Sequence, residues 1–289
     1  MSNINFFRVL QSGGVGGSSG GEIDWDDFTL SLHTTSSIVT SDIDVNSNQT
    51  EIFFSPSGAK RIDVYDFNTT GDVSDGFTFS TTGTTLNKWF GSFQFNPTGT
   101  KVFALMRESV AGAVTGIYQY NLTTAWDTST MSSTEDEYVA FSTLNSNINT
   151  VTGRAFAIDE DGLNIYFSAF NTVGSPGGTG PYLYKLPLST AFDLSSYGTI
   201  SSEESSTATQ VAVCTFSINT DKYITYTHTT SGQIFKNGIE PEDEIDSQSS
   251  LNERVYITTT PDNETFFGVN QFNPGSGYVS VIYQFTTSF

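Results

Sequence analysis

The sequence predicts an all-β fold, and more narrowly a five-bladed β-propeller whose last blade is closed by the N-terminal strand. Three observations predict it. Short alternating apolar and polar stretches follow one another, separated by Gly, Asn, Asp and Ser, with no 3.6-residue apolar stripe long enough for a helix. A unit of about fifty residues recurs. The final unit is short, and the piece that completes it stands at the other end of the chain.

Each unit begins with a strand, a polar turn and an apolar strand. In order these are SDIDVNSNQTEIFFS, SFQFNPTGTKVFAL, AFAIDEDGLNIYFS, TFSINTDKYITYT and YITTTPDNETFFGV. Aligning NSNQ with NPTG, rather than the look-alike FSPSG with FNPTG, keeps the apolar positions in phase. Ile43, Phe93, Phe156, Phe216 and Ile257 then share one column, and Val45, Phe95, Ile158 and Ile218 the next alternate one, with only Thr259 breaking it. Turns anchored at Asn46, Asn96, Asp159, Asn219 and Thr260 stand 50, 63, 60 and 41 residues apart.

The second half of the unit is also repeated. IYQYNLTTAWDTST from Ile117 matches LYKLPLSTAFDLSS from Leu183, with the aromatic-Asp pairs Trp126-Asp127 and Phe192-Asp193 in register. IDVYDFNTTGDVSD from Ile62 keeps the acid at Asp72 and replaces the aromatic with Gly71. Only 29 residues follow Thr260, and the 25 from Glu22 to Asn46 restore one full repeat. The aromatic-Asp pair Trp25-Asp26 stands where it would follow IYQFTTSF. Strand 22–33 is therefore expected to complete the last blade, the way a ring of small sheets is sealed. Each blade is expected to be a four-stranded sheet; a single such sheet cannot bury both faces, whereas sheets stacked around an axis can, and 24 Phe and 13 Tyr supply the filling. A β-sandwich is the alternative architecture.

Residues 1–21 differ from this body. Phe6, Phe7, Val9 and Leu10 form a short apolar opening before SGGVGGSSGG, a Gly/Ser run of the kind that behaves as a tether. The domain expectation is an extended arm over 1–21 and a propeller over 22–289.

At 289 residues, with 31 acidic against 11 basic side chains, the net charge of -20 repels a phosphate backbone and argues against nucleic acid. No run of basic residues interrupts it. Only 15% of residues are charged, so Ser, Thr, Asn and Gln make most of the polar surface. The one cysteine, Cys214, lies in the alternating stretch QVAVCTFSI and reads as core packing. Neither a secretory leader nor an apolar run of membrane-spanning length is visible, so no membrane insertion is expected.

FNPTGTKVFAL followed by IYQYNLTTAWDTSTMS resembles a propeller repeat of structural proteins from tailed bacteriophages, marine ones especially, and of some bacterial surface proteins. The resemblance spans 22–289 and is clearest in the second and third repeats. The usual turn, Pro then Asp or Thr then Gly, is present as Pro97-Thr98-Gly99 and has become Thr220-Asp221-Lys222 in the fourth. It implies a virion component, made in the host cytoplasm and residing in the virion, or a surface adhesion module. The expectation is a non-enzymatic structural protein of a tailed-phage particle. Its arm would bind other virion proteins of tail or capsid through Phe6, Phe7, Val9, Leu10, Gly13, Gly14, Gly16 and Gly17. Its loops would face outward. The alternative is a carbohydrate-binding adhesion module that meets a host surface glycan; a glycoside-processing enzyme stands third.

Chemistry leaves little trace in the sequence. His33 and His228 fall on different expected blades, and GxSxG, HExxH and GxxxxGK[ST] are absent. No cofactor is expected. DEDG at residues 159–162 has a fragment of a calcium loop's alternating oxygens without its closing ligands, and reads as a hairpin turn. EPEDEID at residues 240–246 reads as an exposed acidic loop. A glycosidase needs two carboxylates at a cleft, and no motif locates such a pair. For sugar contact, Trp25 and Trp126 read as plugs between blades because repeats share them, whereas Trp89 is the candidate because its column holds Val39, Thr152 and Ala212 elsewhere. The loops at 109–116, 170–181 and 270–277 are the expected seat of variable recognition.

Overall fold

The computed structural model describes residues 29–35, 40–56, 58–107, 114–146, 148–149, 156–171, 179–204, 211–218, 221–228, 232–236, 254–259, 265–272 and 279–286. They form an all-β molecule of five antiparallel sheets. Strand β1 (Thr29–Thr35) comes first and joins the last sheet. β2 (Thr40–Val45), β3 (Glu51–Pro56), β4 (Asp63–Thr69) and β5 (Asp72–Thr81) pair in sequence order. So do β6 (Trp89–Phe95), β7 (Lys101–Arg107), β8 (Val114–Asn121) and β9 (Glu137–Ala140). The single-turn helix α1 (Phe141–Leu144) follows.

The third sheet orders β10 (Ile148–Asn149), β12 (Asn164–Asn171), β13 (Thr179–Pro187) and β14 (Ser201–Glu204), with β11 (Phe156–Ile158) also on β12. The fourth holds β15 (Val211–Ile218), β16 (Asp221–His228) and β17 (Gly232–Lys236). The fifth orders β1, β20 (Val279–Thr286), β19 (Thr265–Phe272) and β18 (Arg254–Thr259). Uniform four-stranded sheets were expected; the third gains β10, and the fourth has three strands among the described residues. β1 runs to Thr35, two residues beyond the expected strand end, and pairs antiparallel with β20 from Thr29↔Thr286 to Thr35↔Ser280. No helix among the described residues is long and apolar enough to cross a membrane.

The turns explain why the repeat is legible. Asn46, Asn96 and Asp159 are buried, and each places Oδ1 to accept backbone N–H groups as the chain reverses: Thr50 and Glu51, Thr100 and Lys101, and Asn164 respectively. Both Asp159 oxygens are held by Asn164, so this carboxylate fastens its hairpin. Downstream, Asp72, Asp127 and Asp193 each accept from the N–H and hydroxyl of the serine two residues on, closing a tight turn. These bonds hold the carboxyls of Asp72 and Asp193 below the usual carboxylate range.

The two halves of the unit meet at one point. Trp126 and Phe192 adopt the left-handed conformation, at φ 65° and 54°, and donate their N–H groups to the carbonyls of Gly99 and Gly162. Those glycines have no side chain because the ring occupies the space: a Cβ on Gly99 would lie 2.2 Å from Trp126 Cδ2. The first repeat inverts the arrangement. Gly71 takes the ring position, Gln49 the turn position at φ 56°, and Gly71 N–H still donates to the Gln49 carbonyl. The Gln49 side chain then fills the space of the ring, its Oε1 2.5 Å from where a Gly71 Cβ would stand.

Packing follows the seams between sheets. Phe53, Ile62 and Val64 of the first sheet bury against Phe93, Phe95, Val102 and Tyr120 of the second. Trp126 lies over this seam, its ring 5.7 Å from Phe53 and 5.2 Å from Phe95. Phe103 and Ile117 pack against Ile165, Phe167 and Tyr184 in the next seam. Phe54 and Phe67 of the first sheet share a cluster with Phe267 and Ile282 of the last. Each fully buried ring contributes roughly 1.5–3 kcal/mol through its removal from water.

Around the innermost strands, β2 lies beside β6, β6 beside β11, β11 beside β15, β15 beside β18, and β18 beside β2. One glutamine position bridges two of the seams. Gln119 on β8 accepts the Leu194 N–H at 2.9 Å, and its repeat partner Gln284 on β20 accepts the Val73 N–H at 3.0 Å while donating to the Gly71 carbonyl. Thr40 N–H adds a bond to Ser280 Oγ. The last sheet is thus fastened to the first by the same chemistry that fastens the second to the third.

Candidate functional site

Two carboxylates on β2 are the most perturbed acids among the described residues. Asp42 and Asp44 alternate with the apolar Ile43 and Val45, so both project from one side of the innermost strand, and each is 4% exposed. Asp42 Oδ2 accepts from Ser92 Oγ at 2.6 Å and from Phe93 N–H at 2.7 Å, while Oδ1 accepts from Ile43 N–H. Asp44 Oδ2 accepts from Phe95 N–H at 2.7 Å, and Oδ1 from Val45 N–H and Thr258 Oγ1. The Phe93 and Phe95 N–H groups belong to the inner edge of β6, which has β7 on its other side and no strand partner among the described residues. The aspartates supply the missing acceptors and tie β18, β2 and β6 together.

Gln94, in the Asp44 column of the second repeat, does the same one seam further round, accepting the Ile158 N–H at 2.8 Å. Repeat-related side chains therefore stitch each of these inner strands to the next.

Burial pushes the Asp42 carboxyl up to about 7, against the opposing pull of Ser92 and of the Phe93 and Ile43 N–H groups, with Asp44 adding to the rise. It pushes Asp44 up to about 6, against the Phe95, Thr258 and Val45 donors. The folded state thus holds these protons more tightly than an unfolded chain, whose aspartates titrate near 3.8. Their stabilising contribution is complete below about pH 4 and is lost as pH rises through 6 to 7. Melting temperature is expected to rise as pH is lowered from 8 to 5, and to rise less in Asp42→Asn; equal pH profiles for the two proteins would refute this assignment.

Sequence reasoning missed this pair because no motif marks it. The available signal was two acids at alternate positions of SDIDV, in columns where the second repeat carries Ser92 and Gln94. Trp89, the residue singled out for sugar contact, opens β6 and is half-buried. The Lys60 ammonium lies 3.8 Å from its ring centroid and donates to the Asn87 carbonyl at 2.9 Å. The indole N–H is shut off from solvent and has no acceptor.

His33 on β1 and His228 on β16 belong to different sheets. Phe6, Phe7, Val9, Leu10, Gly13, Gly14, Gly16, Gly17, Trp25, the anchors Asn219 and Thr260, and the acidic loop at 240–246 lie outside the described residues. Among the described residues no group of three or more His, Cys, Asp or Glu side chains is placed to hold a metal ion.

No family model and no curated protein matches the chain. Solved structures do. An α-L-arabinofuranosidase from Lactobacillus brevis superposes over 88% of this chain and 93% of its own length, with a TM-score of 0.52 and 11% identity. The β-propeller domain of Myceliophteria thermophila Cps50 (Swd1) matches over 83% of this chain and 68% of its own, with a TM-score of 0.44 and 7% identity. The protein is an all-β molecule of propeller type.

This likeness corrects one expectation. The chain was expected not to be an enzyme because it lacks a catalytic motif, yet it shares its architecture, nearly end to end, with a glycosidase. The physical reason is that inner strands far apart in sequence converge in this fold, as Asp42 meets Ser92 and Asp44 meets Thr258 here. A site assembled that way leaves no contiguous motif, so the absence of one does not exclude catalysis.

Proposed function

We propose that this chain is a five-bladed β-propeller that engages carbohydrate, its last blade completed by β1. The ring reading is supported by the circuit of neighbouring inner strands, the β1–β20 pairing and the Gln284 and Thr40 bridges across the first and last sheets. The observation that carries the carbohydrate reading is the near full-length likeness to a protein whose name is that of a sugar-releasing enzyme. A low-charge surface rich in Ser and Thr agrees with a ligand recognised by neutral hydrogen bonds.

The test is a glycan array probed with the full-length chain, together with reducing-end release from a panel of polysaccharides. A defined subset of glycans is expected to bind, and release from one of them would add a hydrolytic step. A chain that neither binds nor cleaves any member contradicts the proposal.

A second reading concerns location and is supported by the repeat sequence itself. FNPTGTKVFAL and IYQYNLTTAWDTSTMS, which resemble the tailed-phage propeller repeat, contain the residues that build the Asn96 turn and the Gly99–Trp126 junction. On this reading residues 1–21 tether the propeller to tail or capsid, and the sugar it meets lies on the host surface. Full-length chain is expected to co-sediment with particles, and chain lacking residues 2–20 is expected to stay in the supernatant. Equal incorporation of the two would remove the tether.

A further inference from the structure

Although the sequence contains no basic run, the fold gathers four of its 11 Lys and Arg residues at one corner of the first two sheets. Lys60 and Arg61 lie in the connection from β3 to β4, Lys88 precedes β6, and Arg107 ends β7 as the register partner of Trp89. Arg61 is held by Asp63 at 2.8 Å. Lys60 makes no ion pair with a described residue. Its ammonium has three N–H donors. The Asn87 carbonyl takes one and the Trp89 ring face attracts the cation from another side, which fixes the group and leaves a donor for an incoming anion.

Trp89 adds a second, independent observation. Its column holds Val39, Thr152 and Ala212 in other repeats, so the repeat does not require an indole there. Its N–H is nevertheless buried without an acceptor. Leaving a buried donor unpaired costs about 1–3 kcal/mol. A phenylalanine would fill much of the space without that cost, so the indole is explained by its ring face, the strongest cation-π partner among the aromatic side chains, which holds the Lys60 ammonium in place. A long polyanion is repelled by the net charge of -20, but charges beyond about 8 Å are screened at physiological salt, so this corner acts at short range on an isolated negative group.

We propose that the corner where Trp89 holds Lys60 is a subsite for an acidic sugar residue, its anionic group taken by the Lys60 ammonium. This rests on the carbohydrate reading above and names the ligand class. Carboxylate and sulfate share the required chemistry.

Calorimetric titration of the full-length chain with three trisaccharides of one linkage, bearing a uronic acid, a sulfate or no charge, tests it. At least one acidic trisaccharide is expected to bind about tenfold or more tightly than the neutral one, the difference shrinking as salt is raised. Which acidic form binds separates the two sources. Lys60→Ala is expected to weaken that binding by about tenfold with an unchanged melting temperature, and Trp89→Phe, which keeps a ring but offers the Lys60 ammonium a weaker face, to weaken it by a smaller factor. Equal binding of acidic and neutral forms, unaltered by Lys60→Ala, overturns the subsite while leaving the carbohydrate reading in place. Failure of all three trisaccharides, together with an empty glycan array, overturns both.

Discussion

Gly99→Ala is expected to destabilise the protein by about 3 kcal/mol, the sum of a left-handed backbone imposed on alanine and a methyl group driven into a ring. Gly99 sits at φ 67°, and its added Cβ would lie 2.2, 2.3 and 2.5 Å from three atoms of the Trp126 indole. That ring is packed against Phe53 and Phe95, so it cannot swing aside without opening the seam between the first two sheets. Gly162→Ala meets the Phe192 ring at 2.3 Å and is expected to behave alike. Chemical denaturation of the single variants measures both.

The first repeat supplies a sharper version of this experiment. There Gln49 and Gly71 replace the glycine and the aromatic, and the N–H to carbonyl bond between the two positions survives. The double variant Gly99→Gln, Trp126→Gly transplants that solution into the second repeat. It is expected to be more stable than the sum of the two single losses by about 1 kcal/mol or more, a coupling expected of residues in direct contact. Strict additivity would show that the two positions are not alternative fillings of one space.

Asp44→Ala carries the second large effect. It strips the acceptor from three donors at once, the N–H groups of Val45 and Phe95 and the hydroxyl of Thr258, at a place closed to water. Relief of the buried charge offsets part of the loss. A net destabilisation of about 3 kcal/mol at pH 7 is expected. Asp44→Asn retains one acceptor oxygen and is expected to lose less. A change below about 0.5 kcal/mol in Asp44→Ala would mean that the inner strands are held by their side-chain packing alone.

The architecture was legible in the sequence where one physical demand fixed one residue type. Asn46, Asn96 and Asp159 must each accept backbone N–H groups as the chain reverses, so they stand at matched positions and could be aligned. Ile43, Phe93 and Phe156 face a buried seam and kept their column for the same reason. The exchange of Gly and aromatic between Gln49 and Gly71 looked like decay of the motif, because a pair of substitutions that conserves filled volume is invisible until the two positions are seen to touch. Asp42 and Asp44 were passed over for a related reason. Their partners Ser92, Phe93, Phe95 and Thr258 lie about 50 and 214 residues away, and only the return of each inner strand to the same place makes them neighbours.

The candidate site was less legible still. Lys60, Arg61, Lys88 and Arg107 are scattered over two connections and the end of β7, so a search for a run of like charge passes through them without notice. Trp89 was singled out by its unmatched column, and the structure adds what a column cannot hold, the ammonium over its face and the stranded N–H at its edge.

The measurement closest to the central claim is the glycan array of the full-length chain, repeated with Lys60→Ala. Binding of a defined set of glycans, with the acidic members lost selectively from the variant, is the result expected of a carbohydrate-engaging propeller with a cationic subsite at Trp89. A blank array from a folded full-length chain would contradict it.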